Sequence, residues 1–239
     1  MISDRINTLI RKFNKYKIDG YIIPKNDEFF SEYSANDRLK AITNFSGTAG
    51  YSIILKKKNY LFVDGRYTIQ AKKESGKRFK IVDLHKIINC NLFQNLSIGF
   101  DPKFFTSKQI KKFFYKNNKV KSIESNLIDQ IHKNKVKSNK PFFSLKNEIV
   151  GEDYKTKIMK IRKYLNKNKS DYLFITAPEN IAWLLNIRGH DNPNSPIPNC
   201  QLIINNKNNF YLISYKNKVS KLINEKKNKI WSSNWPKKF

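Results

Sequence analysis

Arg66 stands in Asp64-Gly65-Arg66-Tyr67, directly after the β-prone run Tyr60 to Val63. A strand end is where a rigid scaffold can present a charged side chain outward. A guanidinium there has three readings: a ligand-binding cation, the partner of Asp64, or a solvated end. Just upstream, Ser46-Gly47-Thr48-Ala49-Gly50 could cradle a phosphate or simply turn the chain. A phosphate loop sets GxxxxGK[ST] between a strand and a helix, whereas these glycines precede a strand, which favours a structural turn. Arg188-Gly189-His190-Asp191 runs into a proline-rich loop from Asn192 to Pro198. His190 with Asp191 suggests metal or acid-base chemistry, but one His and one Asp make half a site, so a hydrogen-bonded loop is the expectation. Trp183, inside Ile181-Ala182-Trp183-Leu184-Leu185, reads as a core aromatic. His85 and His132 stand alone. No Ser or Cys has a nucleophile-elbow context, no HExxH occurs, and no Asp, Glu or His set has metal-ligand spacing. The residues by themselves compose no active site.

The elements that must carry these groups alternate between helix and strand, which predicts an α/β class. Ile6, Leu9, Ile10 and Phe13 share one face of an opening helix over Ile2 to Tyr16, with Ser3 as its N-cap. Tyr21 to Ile23 is a short strand stopped by Pro24. A helix near Arg38 to Thr43 leads into the glycine turn, followed by a hairpin of Tyr51 to Leu55 and Tyr60 to Val63. Tyr67 to Lys73 is helical, and Phe79 to Leu84 and Ser97 to Asp101 are strands. A Thr106-capped helix to Tyr115, a strand from Val120 to Ile123 and a helix from Leu127 to Ile131 close the first unit. Lys133 to Lys146, basic and holding Pro141, serves as a linker.

Beyond it the order begins again. Helix Tyr154 to Leu165, a turn and strand over Ser170 to Ile175, the segment Asn180 to Gly189 standing where Leu39 to Gly47 stood, and a hairpin of Gln201 to Ile204 with Phe210 to Ser214 repeat the first unit, with Asn205 to Asn209 as the turn. A Lys-rich helix to Glu225 and a strand at Lys229 to Trp231 follow. The second copy lacks the further elements of the first, so its sheet is expected to be short of a strand, with an exposed edge and uncovered apolar surface.

Lys and Arg number 47 against 19 Asp and Glu, a formal +28 over 239 residues. That excess raises a basic, non-enzymatic module holding RNA or another polyanion as a function class. The lysines are spread along the whole chain, usually beside Asn, and few arginines are placed for bidentate phosphate contact. Nucleic acid is therefore not the expected partner. Cys90 and Cys200 form no disulfide framework, and no apolar run approaches the roughly 20 residues of a membrane span. The N-terminus has no apolar signal region. A cytoplasmic protein without membrane contact is the expectation.

Several motifs taken together carry a resemblance. Asp19-Gly20-Tyr21-Ile22-Ile23-Pro24, Ser31-Glu32-Tyr33, Arg38, Phe45 to Gly50, Val63 to Tyr67 and Gln70-Ala71 resemble the first domain of three-domain Xaa-Pro aminopeptidases (aminopeptidase P). Thr176-Ala177, Ile181 to Asn186, Arg188-Gly189, Asp191 and Pro196 resemble that family's second domain. The resemblance implies two tandem creatinase-N-terminal-like, ribonuclease-H-like α/β domains with mixed sheets: 1–132, then a linker over 133–150, then an incomplete second domain over 151–239. It implies that the intact enzyme cleaves the bond before a penultimate proline, with two divalent ions, commonly Mn²⁺, in a third domain. There they activate a bridging water and polarise the scissile carbonyl. None of those metal ligands falls on this sequence, so no cofactor and no catalytic residue is assigned to it. The arginine of the DGRY motif helps recognise peptide in that family, which implies substrate binding for Arg66. At His190 the family carries a smaller residue. A chain that is truncated, inactive alone, and completed by a separately encoded catalytic domain in a cytosolic homodimer is the expectation that follows.

Overall fold

A computed structural model describes residues 1–31, 34–132, 138–207 and 209–225. Glu32-Tyr33, Asn208 and the strand expected at Lys229 to Trp231 lie outside the described residues. The chain divides into two compact units, Met1–Lys135 and Val136–Phe239.

The first unit contains α1 (Ile2–Tyr16), β1 (Gly20–Pro24), α2 (Arg38–Thr43), β2 (Gly50–Leu55), β3 (Asn59–Val63), α3 (Thr68–Ser75), β4 (Lys80–Asp83), β5 (Ser97–Phe100), α4 (Ser107–Phe114), β6 (Lys119–Ser122) and α5 (Leu127–Ile131). Its six strands run in the order β4-β3-β2-β1-β5-β6. β2 pairs antiparallel with both neighbours, and the remaining pairs are parallel, so the sheet is mixed.

Side-chain alternation along these strands builds one core on each face. Tyr21, Ile23, Ile54, Leu61 and Val63 meet Leu9 and Phe13 of α1, Leu39 and Ile42 of α2, and Leu127 and Ile128 of α5. Ile22, Ile53, Phe62 and Ile98 point the other way, against Phe93 and against Ile110, Phe113 and Phe114 of α4. The Thr106 cap expected for α4 is present: its hydroxyl accepts from the Gln109 amide while the Gln109 side chain accepts from the Thr106 amide. For α1 the expectation was wrong by two residues. The N-cap is Met1, whose terminal ammonium donates to Asp4 Oδ2 at 2.9 Å. Ser3 sits in the first turn and accepts from Arg78 Nε at 2.8 Å.

The second unit contains β7 (Phe143–Ser144), α6 (Asn147–Val150), α7 (Tyr154–Lys167), β8 (Tyr172–Ile175), α8 (Pro178–Leu185), β9 (Ile187–Arg188), β10 (Gln201–Asn205), β11 (Phe210–Ile213) and α9 (Lys216–Glu225). Its three-stranded sheet, β11-β10-β8, repeats the order and antiparallel sense of β3-β2-β1. α2 and its counterpart α8 both end on a left-handed asparagine, Asn44 at φ 66° and Asn186 at φ 53°. Leu173, Ile175, Leu202, Ile204 and Leu212 pack against Ile158, Leu184, Leu185 and Val219. On the opposite row, Phe174, Ile203 and Tyr211 are in register, and Phe174 is 54% exposed.

Two readings need correction. Part of the expected linker over 133–150 is structure: Phe142 is fully buried, and Phe143–Ser144 pairs with Ile187–Arg188. A two-residue strand offers no periodicity to read. Trp183 is 61% exposed rather than core. Ile181, Leu184 and Leu185 define the buried stripe of α8, and Trp183 lies about 200° round the helix from Ile181.

Candidate functional site

The register of the β2-β3 hairpin pairs Gly50 with Val63. The glycine turn that enters β2 and the Asp64-to-Tyr67 corner that leaves β3 therefore emerge side by side at one end of the sheet. Both features of the turn follow from local sequence. At Gly47 a Cβ would stand 2.3 Å from the Phe45 ring, and at Gly50 it would stand 2.8 Å from the Phe62 carbonyl oxygen. Only glycine lets the ring fold over the turn and lets the hairpin close.

Asp64 caps a 3-10 turn over Gly65–Tyr67. Its Oδ1 accepts from the Arg66 amide at 3.0 Å and from Arg66 Nε at 2.8 Å. The hydrogen bond from the guanidinium, joined by the one from the amide, holds the Asp64 carboxyl below its ordinary range. Arg66 is 76% exposed at the side chain, so two of its three readings hold together: it is the partner of Asp64, and it is presented outward. Its Cζ lies 5.6 Å from the centre of the Tyr67 ring. Tyr67 reaches back to the glycine turn, sharing a 2.9 Å hydrogen bond with Thr48 Oγ1 and meeting Phe45 edge-on at 5.7 Å.

Glu74 on α3 holds the same turn. Its carboxylate accepts from the Ser46 amide and hydroxyl, each at 2.7 Å, and from Gln70 Nε2 at 3.0 Å, while its carbonyl accepts from Asn44 Nδ2. Desolvation raises this carboxyl, but the Ser46 and Gln70 bonds and the nearby Lys40 charge outweigh it, leaving a net lowering. With the Ser46 amide committed to a carboxylate, the turn is architectural rather than a phosphate cradle. Tyr67, Thr48 and Glu74 escaped the sequence reading. The Gln70–Glu74 spacing of four on a short helix was the one available hint.

A second charged corner sits where β1 and β5 end. Arg38 donates from Nε and Nη2 to the two oxygens of Asp129, each at 2.8 Å, with its Nη1 3.6 Å from Glu28 and its Cζ 4.6 Å from the Phe104 ring. Lys25 pairs with Asp37, and buried Asp101 accepts from Asn126 Nδ2 at 3.0 Å. Burial pushes the carboxyls of Asp27 and Asp101 up, and hydrogen bonds from backbone amides offset only part of that.

In the second unit the Arg188-to-Asp191 group is pulled apart. Arg188 donates to the Ala182 and Ile187 carbonyls, and exposed His190 lies against Phe143 with ring centres 5.4 Å apart. Asp191 is buried, paired with Lys218, and accepts from the Asn199 amide at 2.7 Å. These contacts make a hydrogen-bonded loop. Trp183 lies on Lys157, whose buried Nζ sits 4.2 Å from the ring centre and donates to Asn186 Oδ1 and the Trp183 carbonyl. Among the described residues, no group of three or more His, Cys, Asp or Glu side chains is arranged to hold a metal ion. No helix among the described residues is long and apolar enough to cross a membrane.

Comparison with known proteins places these features. Residues 5–131 match the profile of the Creatinase/Prolidase N-terminal domain, and residues 132–234 match a second profile of the same description. A probable Xaa-Pro aminopeptidase P of Laccaria bicolor is 29% identical over 211 residues, covering 82% of this chain and 33% of the relative. One from Pyricularia oryzae is 32% identical over 213 residues, covering 82% and 34%. Xaa-Pro aminopeptidase 1 of Dictyostelium discoideum is 29% identical over 225 residues, covering 82% and 35%. The chain thus spans about a third of the length of the curated relatives it matches. In fold it is similar to an X-prolyl aminopeptidase of Caenorhabditis elegans, described as a cytosolic enzyme with a di-nuclear active site. The TM-score is 0.86 at 24% identity, over 97% of this chain and 42% of that one. With both units matched in order, and the first match alone spanning more than half of the sequence, the chain belongs to the creatinase/prolidase N-terminal domain family.

Proposed function

We propose that this chain forms the amino-terminal region of an Xaa-Pro aminopeptidase, which removes the residue preceding a penultimate proline, and that Arg66 is its contact with the peptide substrate. The observation that carries the reading is the placement of Arg66. Its guanidinium is steered by Asp64 at 2.8 Å, yet its side chain is 76% exposed at the end of a core strand. A guanidinium held outward is suited to donating to peptide carbonyls or a carboxylate. The names of the sequence relatives supply the substrate class. Bond cleavage itself belongs, on this reading, to a metal-holding domain outside the two units, and a homodimer is the assembly the resemblance implies. The cytoplasm is the compartment assigned, supported by two buried free thiols and by the cytosolic Caenorhabditis elegans neighbour.

The test is calorimetric titration of the purified chain with the tripeptide Arg-Pro-Pro, alongside Arg66→Ala, and an assay of the same peptide with Mn²⁺. Expected are measurable binding that weakens about tenfold or more in the variant, the cost of a charge-assisted hydrogen bond, and no turnover. Equal affinity of wild type and variant, or robust cleavage by the chain alone, sinks the reading.

A further inference from the structure

We infer that Tyr67 and Thr48 are positioning residues for Arg66: the glycine turn, acting through Tyr67, sets the direction in which the guanidinium is presented. The inference rests on the reading of Arg66 as the peptide contact, but its geometry stands independently.

An exposed arginine ordinarily samples many rotamers, and holding one in place costs side-chain entropy. At this corner Asp64 and Tyr67 both restrain it. Asp64 accepts from Nε and fixes one edge of the guanidinium. The Tyr67 ring, 5.6 Å from Cζ, flanks the planar group.

That ring is itself tethered at two points. Its hydroxyl bonds Thr48 Oγ1 at 2.9 Å, and its body meets Phe45 edge-on, with planes at 77°. Thr48 and Phe45 both belong to the glycine turn, which Glu74 ties to α3 by accepting from the Ser46 amide and hydroxyl. A continuous set of contacts therefore runs from α3 through the turn to Tyr67 and on to Arg66. None of the intermediate groups needs to touch substrate. Thr48→Val keeps the shape of its side chain and removes the hydroxyl, which isolates the tether from the packing.

The experiment uses the full chain labelled with ¹⁵N, and follows the Arg66 Nε–H resonance, assigned by its disappearance in Arg66→Lys. In the wild type this proton is expected to be slow to exchange and shifted by the Tyr67 ring. Tyr67→Leu abolishes the ring shift, and Thr48→Val at least halves it, with the remaining amide spectrum unchanged. Titration with Arg-Pro-Pro adds the functional arm. Thr48→Val weakens binding about three- to fivefold in the wild-type background and adds nothing in an Arg66→Ala background, because the two act as a unit. An Arg66 Nε–H resonance unmoved by both variants overturns the positioning role. So does a Thr48→Val effect that persists undiminished without Arg66. If instead Arg66→Ala binds peptide as wild type does, the substrate reading fails, and the resonance alone decides the positioning.

Discussion

Arg38 and Asp129, 91 positions apart, are joined by two parallel 2.8 Å hydrogen bonds that lock α2 onto α5. The arginine side chain is 7% exposed and the carboxylate 43%, so one partner is desolvated and the other keeps water. Arg38→Ala removes the fork and the packing on Phe104 together, and is expected to lower unfolding free energy by about 2–4 kcal/mol. Arg38→Lys keeps the charge but not the planar fork, and should recover less than half of that loss. Urea denaturation followed by circular dichroism reads both. A cost for Arg38→Ala below about 0.5 kcal/mol, as at an ordinary surface site, would contradict the structure.

Trp183 separates the structure from the sequence reading in energy as well as position. A core tryptophan costs about 3–5 kcal/mol when cut to alanine. An exposed one resting on an ammonium loses a cation-π contact of about 0.5–2 kcal/mol. The second value is expected for Trp183→Ala, measured by chemical denaturation. Lys157→Met should cost more than Trp183→Ala, because the Trp183 carbonyl and Asn186 both lose their donor.

Glu74 gives a pH dependence of definite sign. Its carboxyl lies below the ordinary value in the folded chain, so the folded state binds its proton less readily than the unfolded one. The stability it adds is present above the unfolded value and is lost as pH falls through the folded one. Wild type should exceed Glu74→Gln in stability by a constant amount near neutrality, and the gap should close on acidification below the ordinary glutamate range. Asp27 and Asp101 act oppositely, since burial raises them and protonation favours the fold. The difference between wild type and variant cancels their contribution. A gap that widens in acid would refute the assignment.

Two glycines in the same hairpin region should respond differently to alanine. Gly50→Ala brings a methyl to 2.8 Å from the Phe62 carbonyl oxygen, a backbone atom that cannot step aside, and should cost about 1–3 kcal/mol. Gly65→Ala meets nothing within 4 Å and should stay within about 0.5 kcal/mol. Thermal melts of the two variants decide this, and comparable losses would contradict the hairpin geometry.

Much of the fold is legible in local pattern. The apolar face of α1, the Thr106 cap and the paired runs of the β2-β3 hairpin each follow from residues within a few positions of one another. The repeat is legible for the same reason: β8, β10 and β11 reproduce β1, β2 and β3 by pattern, and the antiparallel register follows from short turns. The position of Arg66 at a strand end is likewise local. Its immediate partner, Asp64, is two residues away.

Where the reading failed, the deciding contact was distant or rotational. Periodicity places Ile181, Leu184 and Leu185 on a buried stripe, but a tryptophan among them looks equally apolar until its angle round the helix is fixed by packing. Phe142 and the two residues after it carry no period, and only their pairing with Ile187–Arg188 makes them structure.

By itself the sequence determined an α/β chain built from a repeated unit, with one arginine at the end of a strand. Helix faces, caps and turn glycines are short-range properties, and they survive in a linear reading. The tertiary structure alone decided what stands behind that arginine beyond its neighbour Asp64. Tyr67 meets Thr48 across 19 positions and Glu74 meets Ser46 across 28, contacts that exist only once hairpin register has brought the ends of β2 and β3 together.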